Sequence, residues 1–319
     1  MSAWSSPLGD LLGRFLAHKR ALGFGYRRED SLLHELDSVA SSSSDAWLSE
    51  TLMRQYLSAF SHGARPARLT VLRQLARFAV LEDPRTFLPP PRFLGIRRRR
   101  PAIRVLSRDE AGRFLDACDR LPEVSTDPQW LVHGVALRTL LLTGLRRGEA
   151  TGLRDRDVDL DEGLVTVSRA KFGKTRFVPL AQDLTDRLRS YRTSVTAMGF
   201  PRRPDDPFFP RADGRRQTSP KSLYKSFRRV LEIAAIEHRG RGEGPRLHDL
   251  RHTFAVLRLL SWYEAGADLG AKLPLLATYL GHVGLATSQV YLHMTSDLAG
   301  EVTRRQLHRF GDLITAEAP

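Results

Sequence analysis

The sequence predicts an α+β protein that is mainly α-helical, carries a small antiparallel β hairpin or sheet, and is divided into two domains. Apolar residues recur at helical spacing along most of the 319 residues. One Val- and Thr-rich stretch, residues 164–168 followed by 176–179 around Gly173, has the composition of a short hairpin. A proline-rich and arginine-rich segment near residues 88–104 separates the two helical regions.

The first predicted domain, residues 1–96, contains four short amphipathic helices. Each helix is recognised by a stripe of apolar side chains three or four positions apart, and the third and fourth are separated by breaker residues 61–66. In chain order, the first stripe contains Leu8, Leu12, Phe15 and Leu16, the second Leu32, Leu33 and Leu36, the third Leu52, Tyr56 and Leu57, and the fourth Leu69, Leu72, Leu75 and Phe78.

Residues 97–106 are predicted to form a basic linker. Three prolines, Pro89 to Pro91, precede it, and residues 97–104 contain five arginines and no acidic residue. A stiff, basic connection of this kind suits two domains that close around a nucleic-acid duplex. The alternatives are a nuclear-targeting segment or a linker that is merely soluble.

The second predicted domain, residues 107–319, returns to helical spacing. Ser107 and Glu110 match a capping box, and a second helix is expected to end at Gly144, the residue type that commonly follows a helix. Further helices are expected over residues 223–235, 250–263 and 275–280. Residues 199–219 and 238–245 are rich in polar residues, Pro, Gly and Arg, and are predicted to be surface loops.

Composition restricts the class of protein and of partner. The formal net charge is +14, which favours a polyanionic partner because neutralising phosphates releases condensed counterions. A single cysteine, Cys118, cannot form an intramolecular disulfide. No stretch of about 18 apolar residues is present, so we expect a cytoplasmic protein, associated with the nucleoid, without secretion or a membrane span.

Four short motifs carry residues suited to phosphate chemistry. They are residues 143–153 around Arg146, residues 171–180 with Lys171 and Lys174, residues 248–252 with the pair His248 and Arg251, and residues 280–282 with His282, nine positions before Tyr291. Each motif alone is weak evidence, because a single arginine after a helix is usually solvated and a single tyrosine usually packs in a core. Their combination in one chain is highly specific.

This combination resembles the tyrosine recombinase (phage integrase) family over nearly the whole chain. The resemblance implies a helical N-terminal core-type DNA-binding domain and a catalytic domain that together clamp duplex DNA. It also implies that a tyrosine attacks a DNA phosphate to form a 3′-phosphotyrosyl linkage, with neither ATP nor any other cofactor. The catalytic residues implied are Arg146, Lys171, His248, Arg251, His282 and the nucleophile Tyr291.

The physical chemistry of strand cleavage calls for the same residue types. Negative charge develops on the phosphate oxygens, and the guanidiniums of Arg146 and Arg251 can stabilise it without a metal. Tyrosine, with a pKa near ~10, needs help to lose its proton, and His248 is the candidate base. Lys171 is the candidate acid for the leaving oxygen, with Lys174 as the alternative. His282 is expected to orient the phosphate, and Glu149 to orient or neutralise a cation.

A metal site is the competing interpretation of His248 and His252, which lie four positions apart. Arg251 lies between them and no third ligand follows at typical spacing, so no metal is predicted.

Two departures from the family pattern stand out. The segment 261–274 makes the interval from Arg251 to His282 longer than in compact family members, and Phe172 replaces the glycine that commonly follows the hairpin lysine.

Double-stranded DNA is the predicted partner, contacted by a set of basic residues. These are Arg65, Arg68, Arg73, Arg77, Arg97, Arg98, Arg99, Arg100 and Lys174.

Residues 297–314 have an apolar pattern typical of a last amphipathic helix. Members of this family pass such a helix to a neighbouring subunit, which implies a homotetramer on synapsed DNA and a monomer or weak oligomer in its absence; packing within the same chain is the alternative.

The function that this resemblance implies is site-specific recombination, as an integrase or transposition enzyme of a mobile element. Three alternatives remain open. The protein could be a chromosome-resolving recombinase, a type IB-like topoisomerase that relaxes DNA by the same chemistry, or a DNA-binding regulator without catalysis. The complete set of catalytic residue types argues against the last, and the separate N-terminal domain argues against the topoisomerase.

Overall fold

A computed structural model describes residues 4–43, 45–96, 102–124, 127–168, 175–214, 217–238, 240 and 244–281. The chain forms two compact units, Met1–Arg100 and Pro101–Pro319. Helices dominate both units, as the amino-acid pattern predicts. Among the described residues, no helix is both long enough and apolar enough to cross a membrane.

The described residues of the N-terminal unit form four α-helices. They are α1 (Gly9–Ala21), α2 (Arg27–Ala40), α3 (Glu50–Ser58) and α4 (Arg65–Ala79), followed by a 3₁₀ turn at Phe93–Gly95. The four apolar stripes coincide with these helices and supply the core of the unit, in which Leu12, Phe15, Leu33 and Leu57 are completely buried. Burial of large apolar side chains on one face of each helix therefore holds this unit together.

One buried carboxylate fixes the start of the chain to this helical core. Asp37 on α2 is 3% exposed. Its two oxygens accept hydrogen bonds from the backbone N–H and hydroxyl groups of Ser5 and Ser6, at 2.6–3.0 Å. These four bonds satisfy the carboxylate and position the segment that leads into α1.

The C-terminal unit contains the remaining seven described helices. They are α5 (Arg108–Arg120), α6 (Gln129–Thr143), α7 (Arg147–Gly152), α8 (Gln182–Ala197), α9 (Pro220–Ile233), α10 (Asp249–Glu264) and α11 (Leu269–Leu280). The predicted capping box is confirmed at the start of α5, where Ser107 accepts from the Glu110 amide and Glu110 accepts from the Ser107 amide.

In the described part of the chain, the β-strands form one small antiparallel sheet. The predicted hairpin is formed by β2 (Leu164–Val167) and β3 (Arg176–Pro179), with Val165 opposite Val178. A two-residue strand, β1 (Val158–Asp159), extends it to three strands in the order β1-β2-β3. The inward-facing valines are buried, which fixes the register because a one-residue shift would expose them.

Helix α6 lies at the centre of the C-terminal unit and is buried on nearly all sides. It ends at Gly144, whose left-handed backbone (φ 62°) matches the predicted glycine at the helix end. A Cβ atom at this position would lie 2.5 Å from the Phe254 ring, so both the backbone angle and the packing require glycine. This turn directs the chain from the core of the unit to Arg146.

Two features of this unit differ from the sequence-based expectations. The segment 199–219 is not wholly a surface loop, because Phe208 and Phe209 are fully buried against Tyr191. The helix expected over residues 275–280 begins earlier, because α11 starts at Leu269, and α10, a short turn and α11 together occupy the long interval after Arg251. Pro274 lies inside α11 without ending it.

Candidate active site

Arg146 is the first functional candidate, and it lies at the N-terminal cap of α7. Its backbone N–H and its Nη1 atom donate to the two oxygens of Glu149, each at 2.8 Å. Its Nη2 atom donates to the carbonyl of Gly281 at 2.8 Å. The side chain is 34% exposed, so the guanidinium is held by two partners and still reaches the surface.

Arg176, the first residue of β3, binds the same carboxylate from the other side. Its Nη1 and Nη2 atoms donate to Glu149 at 3.0 and 2.7 Å, and its Nε donates to the carbonyl of Tyr279 at 2.9 Å. Both side chains of this ion pair are only 11% exposed. Sequence reasoning did not select Arg176, and its position in the Lys171-to-Leu180 motif was the only available signal.

Arg251, in the first turn of α10, is almost fully buried at 2% exposure. Its Nη1 donates to the carbonyl of Gly144 at 2.8 Å and its Nη2 to the carbonyl of Leu280 at 2.5 Å. These bonds connect the end of α6, the start of α10 and the end of α11. The guanidinium therefore occupies a position fixed by three helices.

The C-terminal end of α11 is where the three arginines meet. The carbonyls of Tyr279, Leu280 and Gly281 accept hydrogen bonds from Arg176, Arg251 and Arg146, in that order. The last carbonyls of a helix lack intrahelical partners and carry partial negative charge, so cations stabilise this end. The next residue in the chain is His282.

His248 precedes α10 and lies beside the arginines. Its ring is 4.7 Å from that of His252, at a nearly perpendicular angle. The pKa of His248 is lowered by partial burial of the ring and by the positive charge of Arg251. Burial, together with His248, lowers the pKa of His252 to about 4. Both imidazoles are therefore neutral at neutral pH and able to accept a proton.

Glu149 carries the negative charge at the centre of the cluster. Burial alone would raise its pKa, but hydrogen bonds from Arg176 and from Arg146 outweigh that effect and lower the pKa to about 2. The carboxylate is therefore ionised at neutral pH. Two guanidiniums, those of Arg146 and Arg176, bind this carboxylate, and the third, that of Arg251, binds the same end of α11. These three cations and one carboxylate leave a net positive charge, which is suited to an anion.

Three of the six predicted catalytic residues, Arg146, His248 and Arg251, lie close together in the described structure. In addition to burial of the ring, the charges of both arginines act on the imidazole of His248 and lower its pKa. Lys171, Lys174, His282 and Tyr291 lie outside the described residues. Glu149, which was expected to orient a cation, does bind Arg146. In the part of the chain that the structure describes, no group of His, Cys, Asp or Glu residues could hold a metal ion.

The arginines predicted to contact DNA on α4 have different surroundings. Arg65 donates to the Phe60 carbonyl at 2.9 Å, and Arg73 donates to the carbonyls of Pro89 and Pro90. Arg68 forms an ion pair with Glu35 at 2.6 Å, and its guanidinium carbon lies 3.5 Å from the centre of the Phe60 ring. Arg77 is exposed. The four linker arginines, Arg97 to Arg100, lie outside the described residues.

Comparison with known proteins identifies the family of this chain. The phage integrase family model matches residues 104–297. A Sinorhizobium fredii protein with the provisional name integrase/recombinase y4rE is 31% identical over 96% of this chain and 97% of its own length. The tyrosine recombinase XerC of Pelobacter propionicus is 32% identical over 79% of this chain and 76% of its own length.

Two solved structures share the fold. The XerH site-specific recombinase bound to palindromic difH substrate has a TM-score of 0.61 and 21% identity, covering 86% of this chain and 77% of its own. The Tn1549 transposon integrase in complex with transposon right end DNA has a TM-score of 0.60 and 15% identity, covering 94% and 99%. From the extent of the family match and of the identity to its relatives, the chain belongs to the phage integrase family, the tyrosine recombinases.

Proposed function

We propose that this protein is a site-specific recombinase that cleaves and rejoins DNA strands through a covalent 3′-phosphotyrosine intermediate. The observation that carries the proposal is the cluster of Arg146, Arg251 and His248 at the end of α11, in a chain that belongs to the tyrosine recombinases. The biological role that we propose is integration or transposition of a mobile element.

In the proposed reaction the Tyr291 oxygen attacks the scissile phosphorus in line with the leaving 5′-oxygen. The bond between tyrosine oxygen and phosphorus forms while the bond between phosphorus and the 5′-oxygen breaks. His248 takes the tyrosine proton, because its lowered pKa keeps the imidazole neutral. A lysine of the β2–β3 connection, Lys171 or alternatively Lys174, protonates the 5′-oxygen. Rejoining reverses these transfers with a different 5′-hydroxyl.

Arg146 and Arg251 are the proposed stabilisers of the phosphate charge. A guanidinium has five N–H donors, and the bonds of Arg146 to Glu149 and Gly281 use two of them. The carbonyl and carboxylate partners fix both guanidiniums before substrate binds, so little reorganisation is needed in the transition state. His282, the residue after Gly281, is proposed to donate to the same phosphate.

Duplex DNA is the proposed substrate, and exposed cations support it. Lys221, Lys225 and Arg228 lie at positions i, i+4 and i+7 of α9, with Tyr224 40% exposed on the same face. Within the described residues, none of these three cations forms an ion pair. Arg77 on α4 is exposed in the same way. Neutralisation of DNA phosphates by such groups would supply affinity without reading sequence.

We also propose that the protein assembles as a homotetramer on two synapsed DNA sites. The amphipathic pattern of residues 297–314 supports exchange of a C-terminal helix between subunits, and packing within one chain is the alternative. A sedimentation experiment with and without DNA distinguishes the two. Assembly only on DNA supports exchange, whereas a monomer on DNA contradicts the tetramer.

A second candidate role is resolution of chromosome dimers. It is supported by the 32% identity to a protein named tyrosine recombinase XerC. The mobile-element role is supported by the wider coverage of the relative named integrase/recombinase y4rE. Mapping of the cleaved site separates the two roles: a site at the boundary of the DNA carrying the gene supports integration, and a single chromosomal site elsewhere supports resolution.

Covalent capture tests the proposed chemistry. The wild type and Tyr291→Phe are incubated in EDTA with nicked DNA from the region flanking the gene, then denatured and examined for DNA-linked protein. We expect an adduct with the wild type only, while Tyr291→Phe still binds DNA. Tyr263→Phe, at an exposed tyrosine in the same unit, is the matched control and should retain the adduct.

The other outcomes overturn specific parts of the proposal. An adduct that survives in Tyr291→Phe removes the nucleophile assignment. Tight site binding without any adduct supports a non-catalytic regulator. Relaxation of supercoiled DNA that lacks a defined site supports a topoisomerase.

A further inference from the structure

We infer that Arg176 is a positioning residue for strand cleavage, which holds Arg146 in its phosphate-binding position through Glu149 and the end of α11. Arg176 is absent from the set of catalytic residues that the motifs indicate. The inference rests on the proposed function, because it requires Arg146 to contact the scissile phosphate. Three features of the described structure support it.

The first feature is the shared carboxylate. Oε1 of Glu149 accepts from Nη1 of Arg146 at 2.8 Å and from Nη1 of Arg176 at 3.0 Å. Oε2 accepts from the Arg146 amide at 2.8 Å and from Nη2 of Arg176 at 2.7 Å. Without Arg176, the full charge of Glu149 would act on Arg146 alone and compete with a phosphate. Arg176 offsets that charge and keeps the carboxylate between the two guanidiniums.

The second feature is the shared helix end. Arg176 donates through Nε to the Tyr279 carbonyl, and Arg146 donates to the Gly281 carbonyl two residues later. Arg176 thus contacts both groups that hold Arg146, the carboxylate and the end of α11. A displacement of either group would move the Arg146 guanidinium, and misplacement of a reacting group by about 1 Å can cost about 10²-fold in rate.

The third feature is Gly281, which permits the close approach of Arg176. Its backbone is left-handed (φ 67°), and a Cβ atom there would lie 3.1 Å from Nη1 of Arg176 and 3.3 Å from its Cζ. The backbone angle therefore favours glycine, and a side chain at this position would press against this guanidinium. The residue that follows in the sequence is His282, one of the predicted catalytic residues, so Arg176 lies against the residue that immediately precedes it.

Only arginine can make this set of contacts. The planar fork of Arg176 binds both carboxylate oxygens while Nε binds the carbonyl, whereas a lysine ammonium is a single point donor. The Arg176→Lys variant keeps the charge and loses the fork. We therefore expect it to lie between the wild type and Arg176→Gln in cleavage rate.

The test is single-turnover cleavage of nicked DNA at saturating protein, with DNA affinity measured in parallel. We expect Arg176→Gln to cleave about 10²-fold more slowly than wild type, with the Kd for DNA changed less than about threefold. Arg138→Gln is the matched control, since Arg138 is 15% exposed, lies in the same unit and pairs with Asp119 away from the cluster. It should cleave at the wild-type rate.

A modified leaving group separates positioning of Arg146 from positioning of the hairpin lysine. DNA with a bridging 5′-sulfur releases a thiolate, whose pKa of ~8.5 removes the need for an acid. If Arg176 acts on Arg146, the defect of Arg176→Gln persists with this substrate, whereas Lys171→Ala or Lys174→Ala recovers. Recovery of Arg176→Gln on the sulfur substrate overturns the inference.

The remaining outcomes are equally decisive. A wild-type rate in Arg176→Gln overturns the inference and leaves the proposed function intact. A wild-type protein that forms no adduct overturns the proposed function itself. If Arg176→Gln melts at a lower temperature than Arg138→Gln, its slow cleavage could reflect lost stability, and the Arg176→Lys variant is then the test of the positioning role. A cleavage rate of Arg176→Lys equal to that of the wild type overturns that role.

Discussion

Two buried carboxylates, one in each unit, have opposite kinds of partners. Asp37 in the N-terminal unit is bound by the amides and hydroxyls of Ser5 and Ser6, which are all neutral. Glu149 in the C-terminal unit is bound mainly by the guanidiniums of Arg146 and Arg176. In both cases burial would raise the pKa, and hydrogen bonds lower it instead. The first carboxylate secures a segment of chain, and the second orients cations.

The difference teaches where this molecule uses charge in its interior. The N-terminal unit is held together by apolar helix faces. Among its described residues, Asp37 is the one charged side chain that is buried. The C-terminal unit also buries Asp249 and Arg251 beside the candidate active site. Burying an ion pair contributes little net stability compared with apolar packing. Its benefit here is orientation, because groups fixed before substrate binds need not reorganise during the reaction.

The largest expected effect is that of Arg251→Lys on cleavage. Arg251 bonds the carbonyls of Gly144 and Leu280 simultaneously, and lysine cannot reproduce both bonds while donating to a phosphate. We expect the single-turnover cleavage rate to fall by about 10³-fold, in line with the loss of a preorganised donor. Arg138→Lys is the control. A rate within tenfold of wild type would show that the buried guanidinium is structural only.

The second prediction concerns acid stability of the C-terminal unit. The pKa of Glu149 is about 2 in the folded chain and about 4.5 when unpaired, so the unfolded state binds the proton more tightly. The stabilisation is full above pH about 4.5 and is lost as the pH falls toward 2. A shift of this size corresponds to about 3 kcal/mol. Glu149→Gln should therefore flatten the pH dependence of unfolding in that window.

Hydrogen exchange of α7 and α10 at pH 2–6, in the wild type and in Glu149→Gln, measures the pH dependence of stability in the C-terminal unit. Asp186→Asn, at an exposed acid on α8, is the control. Parallel pH curves for wild type and Glu149→Gln would contradict the assignment of the stabilisation to this carboxylate.

The third prediction addresses Asp37. Asp37→Asn leaves one oxygen acceptor for donors that now bind two, and the new NH₂ group faces the backbone N–H of Ser5 or Ser6, which cannot accept a hydrogen bond. We expect the N-terminal unit to lose about 2 kcal/mol of stability, seen as weaker hydrogen-exchange protection of α1. The cleavage rate at saturating protein should stay unchanged. A rate loss comparable to that expected of Arg176→Gln would break the comparison between the two carboxylates.

Local features of the sequence predicted the elements that position the site. Apolar spacing located the helices, Ser107 and Glu110 located the start of α5, and Gly144 located the end of α6. These signals are local because a cap or a left-handed turn depends on neighbouring residues. The hairpin was predicted for the same reason, since its strands are close in sequence.

Partners distant in sequence could not be predicted in this way. Arg176 meets a carboxylate 27 positions away and a carbonyl 103 positions away. Arg68 was selected as a DNA contact from its charge alone, yet its partner Glu35 lies 33 positions earlier. Helical periodicity gives the face of a side chain but not its partner on another helix, and so the ionic contacts of the site emerged only from the fold.

The smallest expected effect is that of Thr253→Val, which removes a neutral hydrogen bond beside the ionic cluster. Thr253 is fully buried on α10, and its hydroxyl accepts from the Leu106 amide at 3.0 Å and donates to the Asp249 carbonyl at 2.8 Å. Valine has the same shape but leaves the Leu106 amide without this partner. We expect a stability loss of about 1–2 kcal/mol and a cleavage rate within about threefold of wild type.

Thr139→Val is the matched control for Thr253→Val, because the Thr139 hydroxyl bonds only the carbonyl one turn earlier in its own helix. It should destabilise the unit less, since no distant amide loses a partner. Thermal unfolding and single-turnover cleavage of both variants measure the two effects. If Thr253→Val slowed cleavage as strongly as is expected of Arg176→Gln, neutral contacts of α10 would orient the site as much as the ionic ones. The contrast between Asp37 and Glu149 would then reflect position in the fold rather than charge.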